Sequence, residues 1–361
     1  MLITSTQASA LTLGSPTQVD VFTERESLDF LTERTKLHDP DGAKTLAAEL
    51  GHLPLALAQA AAVIRAQRLS YPVYLTRLRD YPTQKYLPPA KGDRYPRGVA
   101  EAIGLSIDAV TATDPSGVCG DLLATISLLS PEGVSRDLLY GNDRAGAAEI
   151  DEALSRLADA SLLAFSGEDG SEPIVTAHRL VMRVTRERHA HDGTLTAVGT
   201  KACGLVAAAS ESLGEPWQHR AAARDLVRQV IALNDHLAPH IGPADRALAE
   251  NLLFRRGLAL WCLCLLADSA LQAVDLGEPL VADLDRVLGE SHPETLMSRN
   301  DLAVAHCVSG RAGDAIPLLE VSLAGLERVL GVEHPSTVTV RGNLARARRE
   351  VEGRGNSAAG A

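Results

Sequence analysis

The stretch LGESHPET, Leu288–Thr295, returns as LGVEHPST at Leu330–Thr337. The two copies are 42 residues apart, and the same shift aligns Leu260 with Leu302 without a gap. A fixed period of this length is typical of stacked helical hairpins, each of which buries its apolar side against the next. The repeat therefore predicts an α-solenoid of antiparallel hairpins in which Leu260 and Leu302 occupy equivalent core positions.

The pattern changes on the amino-terminal side of the repeats. Residues 195–352 carry no strand pattern, so repeat helices are expected throughout that range. Residues 98–192 have the pattern of helices followed by LLAFSGEDGSEPIVTAH (162–178), which is typical of a strand, a turn and a strand. Helices followed by a hairpin predict a winged helix. The Pro-rich residues 81–97 predict a linker or exposed loop, and residues 353–361 predict a disordered tail.

Residues 1–80 are predicted to be a small helical domain with little β-structure. Leu2-Ile3 and Val19–Val21 are candidates for short strands. Thr23 and Glu26 have the spacing of a capping box, in which each side chain bonds the other residue's backbone N–H at a helix start. The whole chain is thus predicted to be mostly α: a helical domain and a winged helix, followed by the solenoid.

Glycine, proline and capping residues predict three further helix boundaries. Gly51 follows the helical stretch DPDGAKTLAAEL and suits the position just after a helix end. Pro54 falls in the first turn of the next helix, where its missing N–H costs nothing. Ser130-Pro131-Glu132 predicts another helix start, with a capping residue, a proline and an acid in the first turn.

Composition and charge exclude several classes of protein. The formal net charge of -11 argues against a protein that binds nucleic acid through phosphate contacts. The five cysteines form no CxxC pair, so the sequence indicates neither a zinc site nor a disulfide framework, and a reducing cytoplasm is expected. No apolar run is long enough to span a bilayer, so no membrane partner is expected.

Three sets of motifs resemble known families. The repeat LGxxHPxT, followed by NDLA at 300–303 or GNLA at 342–345, resembles the kinesin-light-chain type of tetratricopeptide repeat, although that family often has Asn where this chain has Asp301. LITST (2–6) and GHLPLAL (51–57) resemble the end of an NB-ARC nucleotide-binding module of the STAND signalling ATPases. TAHRLV (176–181) resembles the histidine motif of the winged helix that follows it.

The NB-ARC resemblance implies roles for three residues. Pro54 would pack near the adenine of a bound nucleotide, and His178 would reach the β-phosphate of ADP and hold a closed, inactive state. Thr6 stands where the family usually has an arginine that senses the γ-phosphate, so that contact would be lost. By itself, a histidine between a strand and a helix is more often a capping or core group than a ligand.

A P-loop is absent from the sequence. That loop needs GxxxxGK[ST], because its backbone N–H groups and its lysine wrap the phosphates, and no lysine here follows a glycine. The expectation is that the chain starts partway through a nucleotide-binding domain. ADP or ATP would then bind only with a P-loop ATPase domain supplied upstream or by a partner, and the chain alone would hold no cofactor.

Other candidate sites have simpler structural explanations. The basic run Arg179–His191 is interpreted as a solvated helix face rather than a DNA-binding helix. The repeated His292-Pro293 and His334-Pro335 are interpreted as helix starts rather than metal ligands. Cys262 and Cys264 are interpreted as small core residues on different sides of a helix.

Two classes of function are compatible with these observations. The favoured one is a regulatory interaction module, not an enzyme, whose repeats bind a protein or peptide on their concave face and relay binding to a nucleotide switch. The alternatives are an ADP- or ATP-binding slow ATPase and a transcriptional regulator of the NB-ARC type. The missing P-loop opposes the first alternative. The acidic stretch 147–161, which is the candidate recognition helix before the expected wing, opposes the second.

Overall fold

The computed structural model describes residues 21–80, 83, 87, 98–142, 146–167, 173–266 and 268–359. The chain divides into two compact units, Met1–Val198 and Gly199–Ala361. Leu2-Ile3, Thr6, Val19 and most of the predicted linker 81–97 lie outside the described residues. Val21 is described and is not in a strand.

The described part of unit 1 begins with four helices packed around one core. They are α1 (Glu24–Thr35), α2 (Pro40–Glu49), α3 (Pro54–Gln67) and α4 (Tyr71–Asp80). The predicted capping box starts α1: Glu26 N–H donates to Thr23 Oγ1, and Thr23 N–H donates to the Glu26 carboxylate at 2.8 Å. Leu31, Leu57 and Tyr74 are fully buried between the helices.

The second part of unit 1 contains five helices and one hairpin in its described residues. The elements are α5 (Val99–Ala112), α6 (Val118–Leu128), α7 (Arg136–Tyr140), α8 (Ala147–Asp159), β1 (Leu163–Ser166), β2 (Ile174–Ala177) and α9 (Arg179–His191). The two strands pair antiparallel, with Leu163 opposite Ala177, which confirms the predicted hairpin. Val99 and Leu180 enter the core of the first four helices, so α5 and α9 pack against them.

The predicted helix start at Ser130 is wrong. Gly133 N–H donates to Ser130 O in a turn, and Gly133 has φ +121°, which a helix does not allow. Val134 then pairs with Val175 of β2 through N···O contacts of 2.8 and 2.9 Å. The helix starts only at Arg136, where Ser135 Oγ accepts from Leu138 N–H.

Helix α9 is not the solvated basic face that its sequence predicts. Arg183 donates to Leu78 O, and Arg186 donates to Ser127 O. Leu78 and Ser127 lie in the last turns of α4 and α6, where backbone carbonyls lack helical partners. The side chains of α9 therefore cap the carboxyl ends of two neighbouring helices, and periodicity along one helix does not reveal such a role.

The region predicted as a linker is anchored to α9 at one of its two described positions and enters the core at the other. Glu187 accepts from Thr83 N–H at 2.9 Å and from Thr83 Oγ1 at 2.7 Å. Leu87 is 1% exposed in the core of the first four helices. These two residues are fixed by buried contacts rather than exposed to solvent.

Unit 2 is helical throughout its described residues. It contains most of α10 (Leu195–Ser212), then α11 (Arg220–Leu237), two 3₁₀ turns (Ala238–His240 and Pro243–Asp245), α12 (Arg246–Leu265), α13 (Ala270–Val287), α14 (Pro293–Val308), α15 (Ala312–Val329) and α16 (Pro335–Ala359). Consecutive helices from α11 onward pack together, and α14 also contacts α12 and α16. This is the predicted solenoid, with α12, α14 and α16 side by side.

The 42-residue shift relates real structural positions. Leu260 and Leu302 are 0% and 4% exposed, as the repeat predicts. His292 Nδ1 accepts from Glu294 N–H at 3.2 Å, and His334 Nδ1 accepts from Ser336 N–H at the same distance. Both histidines therefore cap helix starts, which confirms their structural interpretation.

Two further expectations concern cysteines and the carboxyl end. Cys262 is fully buried, as expected of a core residue, whereas Cys264 is half-buried and its thiol lies 3.2 Å from Asp301 O. Helix α16 continues through residues 353–359, where the sequence predicts a disordered tail. Among the described helices, none combines the length and apolar composition needed to cross a bilayer.

Candidate functional site

The corner between α2 and α3 is built on two left-handed residues. Gly51 and His52 have φ angles of +59° and +58°. Gly51 N–H donates to Ala48 O and His52 N–H donates to Ala47 O. This pair of hydrogen bonds is characteristic of a Schellman motif. His52 Nδ1 lies 2.9 Å from Ser27 Oγ, so the corner is also tied to α1.

His178 connects this corner to α9. Leu180 N–H donates to His178 Nδ1 at 3.2 Å, which requires a lone pair on that nitrogen. The imidazole is therefore neutral, and Nε2–H donates to Gly51 O at 3.0 Å. Burial lowers the pKa of His178 below 6.5, the Gly51 bond opposes that shift, and the charges of Arg179 and His52 add to it.

The structure thus brings together two of the motifs singled out in the sequence, GHLPLAL and TAHRLV. Pro54 lies in the first turn of α3, three residues beyond Gly51, as predicted. His178 contacts Gly51, the first residue of GHLPLAL. Thr6 lies outside the described residues. The described geometry of His178 is that of a helix cap bonded to a backbone carbonyl.

A second candidate site is the uncovered side of the repeat helices. Between Thr295 and Cys307 of α14, only Met297, Asp301 and Val304 are not buried. With Glu294 and Val308 they recur at spacings of three and four residues, which places them on one helix face. Neighbouring helices cover every other side of α14.

Helix α12 has a matching stripe of apolar side chains, of which Trp261 is exposed and the other three are half-buried. They again recur at spacings of three and four residues: Phe254, Leu258, Trp261 and Leu265. Arg255 and Cys264 of the same helix are half-buried as well. Helices α12 and α14 face each other at Gly257. A Cβ atom added to this glycine would lie 2.8 Å from Glu294 Oε1 of α14. Leu260 and Leu302 point instead to Gly277 of α13.

Both stripes therefore lie on one side of the solenoid. At 100° per residue, each stripe is centred about 120° or more around its helix from the leucine that faces α13. We call the two stripes together the open face, comprising Phe254, Leu258, Trp261, Leu265, Glu294, Met297, Asp301, Val304 and Val308. At the edge of the open face away from α12, α14 is bonded to α16: Asn343 Nδ2 donates to Asn300 Oδ1 at 2.9 Å.

The open face holds two acidic groups in a mainly apolar setting. Burial raises the pKa of Asp301 to about 7; the bond from Asn300 Nδ2 to Asp301 Oδ1, 3.0 Å long, opposes the shift, and the Glu294 charge adds to it. Burial also raises the pKa of Glu294, although His292 and Arg255 lower it in part. Among the described side chains, no cation forms an ion pair with either group.

We expect Asp301→Asn to stabilise unit 2 at neutral and alkaline pH. The folded pKa of about 7 lies above the ordinary 3.8, so the ionised carboxylate opposes folding, and the wild type loses stability as pH rises from about 4 to about 7. The variant should gain about 2 kcal/mol at pH 8, since the side chain keeps some solvent access. Denaturant unfolding at pH 4, 6 and 8 measures the difference, which should approach zero at pH 4.

Asp283→Asn is the matched control because its carboxylate is paired. Burial raises the pKa of Asp283, but the bonds from Arg256 and Arg286, at 2.7 and 2.8 Å, outweigh it and the pKa is lowered. The control should therefore be destabilised at neutral pH. Equal effects of both substitutions at every pH would contradict the electrostatic explanation for Asp301.

The described residues contain no group of three or more histidine, cysteine or acidic side chains placed to hold a metal ion. Burial raises the pKa of Cys119, Cys203 and Cys262 to about 11, so these thiols are poor nucleophiles.

Comparisons with known proteins give a match within the repeats. Residues 295–336 match the tetratricopeptide repeat family model, so this segment is similar to such a repeat. Among solved structures, the TPR-like repeats of a kinesin light chain from Podosopora anserina are 22% identical, cover 47% of this chain and 85% of that chain, and superpose with a TM-score of 0.30. A single-residue variant of the same repeats is 24% identical over the same shares, with a TM-score of 0.24. No curated protein matches the chain.

Sequence reasoning identified His178 but not its contact with Gly51, and it did not identify the open face. The signal for that face was present as the spacing of Phe254, Leu258, Trp261 and Leu265. An apolar stripe on a helix normally faces a core, however, and only the position of α13 shows that this stripe does not.

Proposed function

We propose that the chain is a regulatory protein-interaction module, in which the repeats bind a protein or peptide segment on the open face. The observation that carries the proposal is the open face itself, where large apolar side chains such as Trp261, 37% exposed, lie uncovered beside α14. Contiguous apolar surface of this kind marks interaction sites, and tryptophan is enriched among the residues that contribute most to binding.

The amino-terminal unit is proposed to be the end of an NB-ARC-type nucleotide switch, with a winged helix formed by residues 98–192. The order of elements supports this: a bridge at Val134, two helices and a two-stranded hairpin follow α6. The contact of His178 with Gly51 also supports it, because the two residues belong to motifs assigned to one site. A P-loop domain upstream or on a partner would complete the switch, in the cytoplasm.

Peptide display on the purified full chain tests the interaction proposal. A random dodecapeptide library should yield enriched sequences whose affinity falls about tenfold in the Trp261→Ala, Met297→Ala double variant. The matched control is Leu271→Ala, Val321→Ala, which removes apolar side chains exposed at 72% and 54% on α13 and α15. Enriched peptides that bind all three proteins equally would overturn the proposal.

A thermal-shift titration with ADP tests the nucleotide half. A ligand that binds only the folded state stabilises it, by about 2.7 kcal/mol at a concentration of 100 Kd. A shift abolished by Pro54→Ala, His178→Ala would support nucleotide binding by unit 1 alone and favour the ATPase-switch alternative. Without a shift, nucleotide binding would require the P-loop domain.

A further inference from the structure

We propose that the open face selects a peptide segment that carries a bulky apolar residue beside a lysine or arginine. This inference rests on the proposed function and names the chemistry of its partner. Apolar residues of α12 and α14 would receive the bulky side chain, and Asp301 with Glu294 would receive the cation.

The apolar side chains of the open face are continuous across two helices. Phe254, Leu258, Trp261 and Leu265 run along α12, while Met297, Val304 and Val308 run along α14 beside them. Gly257 sits between the two helices with Glu294 Oε1 2.8 Å from its Cβ position, so the two helices lie close together. A ligand lying across them can bury apolar surface on both.

The charges that belong to the open face are negative. Among its nine members the only ionisable groups are Glu294 and Asp301, and both are acidic. Burial has already removed part of their hydration, so a cation placed beside them recovers Coulomb energy without the full cost of desolvating an exposed pair. An acidic ligand would meet two like charges on an apolar surface.

Two nearby arginines form ion pairs away from the face. Arg256 donates to Asp283 at 2.7 Å, and Arg299 donates to Asp285, so both arginines are directed toward α13. Arg255 is near enough to lower the pKa of Glu294 but forms no ion pair with it among the described residues. On α16, Arg341 donates to Glu327 at 2.9 Å, and Arg346 lies one turn beyond Asn343.

The test uses three pools of fluorescein-labelled decapeptides with a fixed central tryptophan and the full chain. One pool carries three lysines or arginines, one carries three acids, and one is neutral. In anisotropy titrations the basic pool should bind about tenfold more tightly than the acidic pool at about 0.1 M salt. In the Glu294→Gln, Asp301→Asn variant this ratio should fall to near one, with the neutral pool unaffected.

The control variant Asp275→Asn, Asp314→Asn removes the same net charge from exposed positions on α13 and α15. It should keep the tenfold ratio, whereas an equal loss would reveal general attraction to an acidic protein and overturn the inference. Tighter binding of the acidic pool would also overturn it, while peptides enriched by display would still support the proposed function. If no pool binds and display enriches nothing, both proposals fail.

Discussion

Gly51→Ala is expected to destabilise unit 1 by about 3 kcal/mol, because the added Cβ atom both strains the backbone and clashes with His178. The backbone at φ +59° costs an alanine about 1 kcal/mol. The new Cβ would also lie 2.5 Å from His178 Cε1, so the imidazole must leave. Its bonds to Gly51 O and to Leu180 N–H are then lost, at about 1 kcal/mol each.

A double-mutant cycle separates the two costs. In a His178→Ala background, Gly51→Ala should cost only about 1 kcal/mol, which leaves a coupling energy of about 2 kcal/mol by denaturant unfolding. Gly117→Ala is the matched control, since Gly117 has φ +76° but nothing within 4 Å of its Cβ position. Its cost should be about 1 kcal/mol with or without His178. Additive effects at Gly51 and His178 would show that the contact between them contributes no stability.

Local sequence signals predicted most of the helices because their ends are determined by neighbours in sequence. Thr23 with Glu26, Gly51, and Pro54 each act within one turn of the chain, and each occurs as predicted. The hairpin was likewise indicated by apolar runs around a Gly-Asp-rich turn. At Ser130 the same local rule failed, because Val134 pairs with Val175, which is 41 residues further along the chain.

What the sequence could not predict depends on contacts across the fold. The arginines of α9 have the composition of a solvated face, but Arg183 and Arg186 satisfy carbonyls of α4 and α6. The open face has the composition of a core stripe, but α13 lies on the other side of α12 and α14. In both cases one helix alone is compatible with two environments, and only the neighbouring elements distinguish them.

Gly277→Leu is expected to destabilise unit 2 by about 3 kcal/mol, although it introduces the residue that the second copy of the repeat has at the equivalent position. The equivalent position one period later is Leu319, which is fully buried in its own core cluster. At Gly277 the space is already taken: a Cβ would lie 3.0 Å from Leu302 Cδ1 and 3.3 Å from Leu260 Cδ1. Three further carbons must displace these leucines, and overpacking of a buried site typically costs about 1–3 kcal/mol, with this site at the upper end.

The reciprocal exchange is the control. Gly313→Leu places in the second copy the residue found at Leu271 in the first, and nothing lies within 4 Å of the Gly313 Cβ position. It should be stabilising by about 0.5–1 kcal/mol, since leucine is the better helix former. Adding Leu302→Ala to Gly277→Leu should recover part of the loss, because it frees volume where the new side chain must go. If Gly277→Leu matched Gly313→Leu in chemical denaturation, the close approach of α13 to α12 and α14 would be disproved. The open face would lose its geometric basis as well, because that approach is what turns Trp261 and Asp301 away from the core.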